Sequence, residues 1–162
     1  MANANDFAQG IVNRLAAGRQ LETVKLQKLL YFIQGWSLAM WDRPAFSNDI
    51  QAWKFGPVVP DVYKHHARQP FVQESSDLGG DLGKLAENDV ALIDFVLANY
   101  GSIGAFVLAD YTHQKGSPWY EATFPRNAEK PELYAEISNE MIQDYFRKER
   151  NRISHGGMFV PM

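Results

Sequence analysis

The fold of this chain depends on the run Lys25-Leu26-Gln27-Lys28-Leu29-Leu30-Tyr31-Phe32. Leucines three and four residues apart place one apolar stripe along a helix. Aromatic residues at positions 31, 32 and 36 widen that stripe beyond a single face. A helix that is apolar on most sides is normally surrounded by protein. We therefore expect a central core helix with Thr23 as its N-cap, ending before Pro44, which cannot continue a helix.

Shorter helical patterns lie on both sides of this segment. They are predicted at about 6–17, from Pro60 to about 66, at about 88–99, from Ser102 to about 112, after Ser117-Pro118 and after Ser138. Asn5 or Asp6 is the expected N-cap of the first helix, and the three serines are the expected N-caps of later ones. The chain is therefore predicted to be mainly α, a compact multi-helix domain packed around the central helix.

A small β-hairpin is predicted beside the helices. Residues 50–55 combine β-branched and aromatic side chains and are apolar on both faces, as in a buried strand. Gly56-Pro57 ends the strand, and the proline favours an extended conformation at Gly56. The segment Ala45-Phe46 is the expected pairing strand. Residues 68–86 are polar and rich in glycine, which predicts a loop.

Size and composition suit one globular domain. The chain has 162 residues, of which 46% are hydrophobic and 22% are charged, as in ordered proteins. The domain is predicted to span residues 1–150, and residues 151–162 are predicted to form a C-terminal tail. The net charge of −3 argues against nucleic acid as the main partner, because nucleic-acid binders usually carry a basic face.

Neither secretion nor membrane insertion is indicated by the sequence. It contains no cysteine, and its N-terminus lacks a basic segment followed by an apolar run. No stretch approaches the ~20 apolar residues that a membrane-spanning helix needs. We therefore expect a cytoplasmic protein with no membrane partner.

No motif of a known catalytic or cofactor site occurs. The chain lacks the nucleophile elbow Gly-x-Ser-x-Gly, a P-loop and a dinucleotide-binding glycine pattern. His65-His66 are adjacent, do not have the spacing of zinc ligands, and are interpreted as a solvated helix end. The sequence therefore predicts no catalytic residue, no metal and no cofactor.

Thr112-His113 and Ser117-Pro118-Trp119 mark a junction between two predicted helices. A histidine at a helix end can bind the carbonyl groups that the helix leaves free, while Trp119 covers the corner. This structural interpretation competes with a direct role in partner binding. An acid–base pair of His113 with a carboxylate such as Glu121 is a further alternative.

Lys25 and Lys28 lie three residues apart and share a helix face. Their stems can cover apolar surface while the amines extend into solvent. The pair is either a solvated rim or a cationic patch for an acidic partner.

Aromatic residues cluster around the Gly56 break, namely Trp53, Phe55 and Tyr63, together with Pro57. Aromatic side chains beside a rigid turn can belong to the core. They can equally anchor a partner, since tryptophan and tyrosine dominate interface hot spots.

Several motifs together have the pattern of one known family. They are Lys25 to Tyr31, Trp36, Ala52 to Val58, Tyr63, Thr112-His113, Ser117-Pro118-Trp119 and the helix from Ile142 to Phe146. On these residues the chain resembles the Panacea-domain family of SocA-like antitoxins and phage-associated GepA-like proteins, over roughly residues 4–147. The resemblance implies a mainly α-helical domain with a small β-hairpin, and an antitoxin that neutralises a cognate protein toxin by direct contact.

The same resemblance implies partners. The toxin is expected to be encoded by the adjacent gene, and one branch of the family resembles an adaptor that hands its toxin to a Clp-type protease. No catalytic residues are implied. The predicted partner-binding residues are Lys25, Lys28, Trp53, Lys54, Phe55, Pro57, Tyr63, His113 and Trp119.

Two other functions compete with this one. A small-ligand-binding or enzymatic domain would use His113 and a nearby carboxylate, and predicts a pocket that contains a group with a shifted pKa. A nucleic-acid-binding module would use Lys25, Lys28 and the basic residues at 147–152.

Overall fold

The computed structural model describes residues 1–154, and within this range the chain is mainly α, as predicted. The helices are α1 (Ala4–Asn13), α2 (Thr23–Trp41), α3 (Pro60–Tyr63), α4 (Glu87–Tyr100), α5 (Ala105–Thr112), α6 (Pro118–Thr123) and α7 (Asn139–Ser154), with a 3₁₀ turn at Leu82–Lys84. The strands are β1 (Leu21–Glu22), β2 (Gln51–Trp53), β3 (Gly56–Val58), β4 (Phe71–Val72) and β5 (Ala135–Glu136).

Helix α2 is the predicted central helix, and it is buried along nearly its whole length. It packs most extensively against α7 and also contacts α1, α4, α5 and β3. The ring of Phe32 stacks on that of Tyr100 at 4.1 Å between centroids, and the indole N–H of Trp36 donates to the Tyr100 hydroxyl at 2.8 Å. Gly35 faces the Phe146 ring, and a Cβ there would overlap it. The absence of that Cβ lets α7 approach the middle of α2.

The N-caps predicted for α1 and α2 are wrong because the polar side chains have distant partners. Thr23 is the first residue of α2, and its hydroxyl donates to the carbonyl of Gln69 at 2.9 Å. The N-cap of α1 is Asn3, in a capping box with Asp6. Helix α5 starts after Gly104 and not at Ser102. The caps predicted for α6 and α7 are confirmed, since Ser117 and Ser138 accept from the amides of Tyr120 and Met141.

A small β-hairpin is present, but its predicted pairing is wrong. Strand β2 pairs with β3 in an antiparallel register that places Trp53 opposite Gly56, and β5 joins the other edge of β2. Residues 45–46 are not in a strand, because the buried Gln34 side chain accepts hydrogen bonds from both of their backbone amides at 2.8 and 3.2 Å. A separate two-stranded sheet joins β1 to β4.

The predicted loop at 68–86 contains β4 and the 3₁₀ turn, and α1 binds it closely. The Asn5 side chain donates to the carbonyl of Leu78 at 2.9 Å, and Asp6 accepts from the amide of Asp81 at 2.8 Å. Leu78 is fully buried. Asn5 and Asp6 therefore hold this segment against the domain, which explains why Asn3 forms the cap in their place.

Helix α7 continues through the first four residues of the predicted tail, and residues 155–162 lie outside the described part of the chain. Within residues 1–154, no single helix has the length and apolar composition to cross a membrane. Helices α4 and α5 pass that test only as a pair, which is bent by 103°.

Candidate partner-binding site

The turn of the hairpin, Lys54-Phe55, is held from behind by two buried side chains. The Lys28 amine, from α2, donates to the carbonyl of Phe55 at 2.5 Å. The Trp119 indole, from α6, donates to the carbonyl of Trp53 at 2.7 Å. Both donors are buried, so the backbone on each side of the turn has a fixed position.

Lys28 is a buried cation for which the described part of the chain supplies no counter-ion. Its side chain is 1% exposed, and no carboxylate forms an ion pair with it among residues 1–154. Burial lowers the pKa of Lys28 to about 8. The prediction that this amine extends into solvent is wrong, because the stem points inward and ends at the hairpin.

Gly56 allows the amine to come so close to the hairpin. Gly56 begins strand β3, in keeping with the extended conformation predicted for it, but its φ of +123° lies in a region that L side chains rarely adopt. A Cβ at this position would overlap the Lys28 amine and lie 3.3 Å from Nε2 of His113. The amine, the glycine and the imidazole therefore meet at one point.

His113 lies at the end of α5 but does not bind the helix carbonyls with its ring. Hydroxyl groups take that role, since Thr112 donates to the carbonyl of Ala109 and Ser117 donates to that of Thr112. The imidazole packs on Trp119 with 4.1 Å between ring centroids, and its buried Nε2 has no hydrogen-bond partner among residues 1–154. Burial, and then the Lys28 charge, lower the pKa of His113, while the Phe55 carbonyl and Asp110 oppose the shift.

The contacts of His113 do not match the acid–base alternative. Within residues 1–154, no carboxylate forms a hydrogen bond with the His113 ring, and Glu121 lies on an exposed part of α6. Groups with a shifted pKa are present, namely His113, Lys28 and His66, but none of them is paired with a carboxylate among residues 1–154.

The outer side of the hairpin is aromatic and accessible. The Phe55 side chain is 66% exposed, and the Lys54 ammonium lies 5.5 Å from the centre of its ring. Trp53 meets Tyr63 edge-on at 4.7 Å and Tyr134 at 5.4 Å. Pro57 is buried in β3 and belongs to the support of this surface, not to the surface itself.

These rings border a concavity of about 350 Å³, which we call the aromatic pocket. Gln27, Lys28 and His66 also line it. The Gln27 oxygen accepts from the amide of Val59 at 2.8 Å, which turns its amide nitrogen toward Nε2 of His66 at 2.9 Å. His66 therefore accepts this bond as a neutral ring, and burial lowers its pKa. The prediction of a solvated helix end is wrong for His66, which is buried.

Lys25 does not join Lys28 in one cationic patch. Its amine donates to the carbonyl of Gly101 at 2.5 Å, at the end of α4, and burial lowers its pKa against the opposing effect of Glu22. The basic residues of α7 are also engaged: Arg147 with Asp42, Lys148 with Asp144, Arg150 with the carbonyl of Ala39, and Arg152 with Glu149. The surface expected for a nucleic-acid-binding module is therefore not assembled.

Six residues that line the pocket were not among the predicted partner-binding residues, namely Thr23, Val24, Gln27, Val58, His66 and Tyr134. Gln27 lies in the first motif, but nothing in the sequence indicates that its side chain binds the backbone amide of Val59. His66 was noticed only as half of a histidine pair. Tyr134 follows an irregular segment, and it lies beside Trp53 because its backbone amide donates to the carbonyl of Ala52 at 2.7 Å, where β5 pairs with β2.

The described residues offer no obvious metal centre. Within residues 1–154, no group of three histidine or acidic side chains is placed to hold an ion.

Comparison with known proteins gives two matches. A family model described as "Antitoxin SocA-like, Panacea domain" matches residues 26–120. This range contains Lys28, the hairpin, His113 and Trp119, but not Lys25. Antitoxin SocA of Caulobacter vibrioides (strain NA1000 / CB15N) is 29% identical over 144 residues, which cover 83% of this chain and 76% of that protein. No solved structure matches the chain.

Proposed function

Because the chain belongs to the family of SocA-like antitoxins with a Panacea domain, we propose that it neutralises a cognate protein toxin by direct binding. The contact surface that we propose consists of the hairpin turn and the aromatic pocket, with Phe55 as the anchor. Lys28, Pro57, His113 and Trp119 position this surface from behind.

The exposure of Phe55 on a fixed backbone is the observation that carries this proposal. Because burial of apolar surface stabilises a fold, a phenylalanine that is 66% exposed contributes little to the stability of this one. Its backbone is held by the Lys28 amine and, through Trp53, by Trp119, so the turn loses little conformational freedom on binding. Aromatic anchors in rigid surroundings contribute most of the energy at protein interfaces.

The test is co-expression with the product of the adjacent gene. We expect that product to arrest growth alone, and this chain to restore growth and to co-purify with it. Phe55→Ala should abolish rescue without a change in thermal stability. Phe106→Ala removes a phenylalanine that is 91% exposed on α5 and does not line the pocket, so it should rescue like the wild type.

If the product of the adjacent gene were harmless, the proposal would lose its basis, and full rescue by Phe55→Ala would show that the contact surface lies elsewhere.

Binding can neutralise a toxin by blocking it or by delivering it to a Clp-type protease. The half-life of the toxin in the presence of this chain separates the two: blocking leaves it unchanged or longer, and delivery shortens it.

A further inference from the structure

The charge in the aromatic pocket is unbalanced. Among the described residues, its lining contains two lysines, Lys28 and Lys54, and no aspartate or glutamate. A lysine ammonium has three N–H donors, and among residues 1–154 the one acceptor bonded to Lys28 is the Phe55 carbonyl. A buried charge is normally paired, because removing it from water is costly. Residues 1–154 therefore present a nearly dehydrated cation whose counter-ion they do not supply.

The remaining lining restricts what that counter-ion can be. The rings of Trp53, Tyr63 and Tyr134 make most of the wall apolar. A phosphate is normally held by an arginine fork or by several converging donors; the described lining holds no arginine, and its Thr23 hydroxyl and Gln27 amide nitrogen are already bonded to Gln69 and His66. A cation held by the rings would be repelled by Lys28. A single carboxylate next to an apolar group matches both the charge and the surface.

We propose that the aromatic pocket receives an aspartate or glutamate of the toxin together with an adjoining apolar side chain. The carboxylate pairs with the Lys28 amine, and the apolar group rests on Trp53 and Tyr63. This inference depends on the proposed function for the identity of the partner, but not for the chemistry of the pocket.

The proposal predicts that protons are bound when the complex forms. Burial lowers the pKa of Lys28 to about 8 in the free chain, and a carboxylate beside it raises that pKa. Complex formation near pH 8 should therefore take up a proton, and the affinity should fall as the pH rises further. The other titratable groups around the amine are His113 at the end of α5, His66 after α3, Lys54 on the turn, and Tyr63 and Tyr134 at the rim. Burial lowers the pKa of both histidines, so they stay neutral at this pH.

The first experiment uses the toxin. Each aspartate of the adjacent gene's product is changed to asparagine and each glutamate to glutamine, and binding to the wild-type chain is measured. One such change should weaken binding about thirtyfold, since truncating a buried charge pair has effects of this size. The same change should have no effect on binding to Lys28→Met. Lys115→Met, an exposed lysine outside the pocket, serves as the control.

A toxin scan in which no acidic residue matters would overturn the proposal even if Lys28→Met did not fold. Calorimetry of the wild-type complex near pH 8, in buffers with different ionisation enthalpies, should show net proton uptake. No uptake would equally contradict the pairing with Lys28.

The second experiment needs no toxin, so it separates failure of this inference from failure of the proposed function. A random dodecapeptide display library is selected on the wild-type chain. We expect enriched peptides in which aspartate or glutamate neighbours an aromatic or aliphatic residue, and loss of their binding in Lys28→Met but not in Lys115→Met. Enrichment of non-acidic peptides, equal binding to Lys28→Met, or no enrichment would each overturn the proposed pocket chemistry.

Discussion

The buried amine of Lys28 donates to the backbone carbonyl of Phe55, which lies 27 residues further along the chain, at 2.5 Å. This bond joins the central helix to the most exposed part of the hairpin. Lys28 is 99% buried, and burying its charge lowers the stability of the fold. This loss of stability depends on pH, because the amine can lose its proton. The bond therefore affects both the stability of the chain and the shape of its proposed binding surface.

Lys28→Met should remove a pH dependence of stability. The pKa of Lys28 falls from 10.5 to about 8 on folding, so between these values the unfolded chain binds more protons than the folded one. The free energy of unfolding should therefore rise as pH increases through 8, by at most about 3 kcal/mol in total. Urea unfolding at several pH values between about 7 and 9.5 measures this rise.

The rise should be smaller in Lys28→Met, where the lowered pKa of Lys25 still contributes, and unchanged in Lys115→Met. The upper pH limit matters because burial raises the pKa of Tyr31, whose ionisation on unfolding opposes the effect above about pH 10. An equal rise in Lys28→Met would show that another group is responsible. At neutral pH, the loss of the bond to Phe55 and the loss of the buried charge oppose each other.

Gly56→Ala should be strongly destabilising. Alanine at this position would have a strained φ of +123°, and its Cβ would overlap the Lys28 amine. Gly18→Ala is the matched control, because Gly18 has a φ of +81° but no atom within 4 Å of an added Cβ. We expect a loss of about 1 kcal/mol for Gly18→Ala and at least twice that for Gly56→Ala. Chemical denaturation checks both, and equal losses would mean that the contact with Lys28 is unimportant.

Local pattern was sufficient to predict the central helix, because burial on all sides leaves a direct mark on composition. The family resemblance, and not the local pattern, grouped Lys28, the hairpin, His113 and Trp119, which the structure brings together, with Lys25, whose amine binds Gly101 instead. The role of each residue within this group could not be predicted from the sequence. Lys28 has the sequence environment of a solvated lysine, and its partner is a carbonyl that any residue at position 55 would supply.

The errors in the β-structure and the helix caps have one cause. Asn5, Thr23 and Gln34 are polar residues that commonly act locally, and each of them binds a backbone group far away in the sequence. Such bonds depend on the tertiary fold and leave no periodic signal. Tyr134 was missed for a related reason, because it enters the site at the end of an irregular segment.

His113→Gln should reduce the sensitivity of the fold to acid. Burial and the Lys28 charge lower the pKa of His113, so the unfolded chain binds more protons below its ordinary value of 6.5. The free energy of unfolding should therefore fall as pH drops from about 6.5 to 5, and by less in the variant. His66→Gln provides a comparison, since burial also lowers the pKa of that ring. An identical acid slope in wild type and His113→Gln would contradict the placement of this ring beside the amine. Full stability of His113→Gln with loss of toxin neutralisation would favour a direct functional role.

Gln34→Leu should destabilise the chain by roughly 3 kcal/mol, because it leaves the buried backbone amides of Ala45 and Phe46 without an acceptor. The leucine would add apolar volume to α2, so a simple hydrophobic account predicts the opposite sign. Gln73→Leu is the control, since that glutamine bonds only with exposed partners on its own loop, and its replacement should change stability by less than about 0.5 kcal/mol. Urea unfolding gives the free energies, and hydrogen exchange should show lost protection at the amides of residues 45 and 46. Retained protection at both amides would mean that the side chain of Gln34 does not hold this segment.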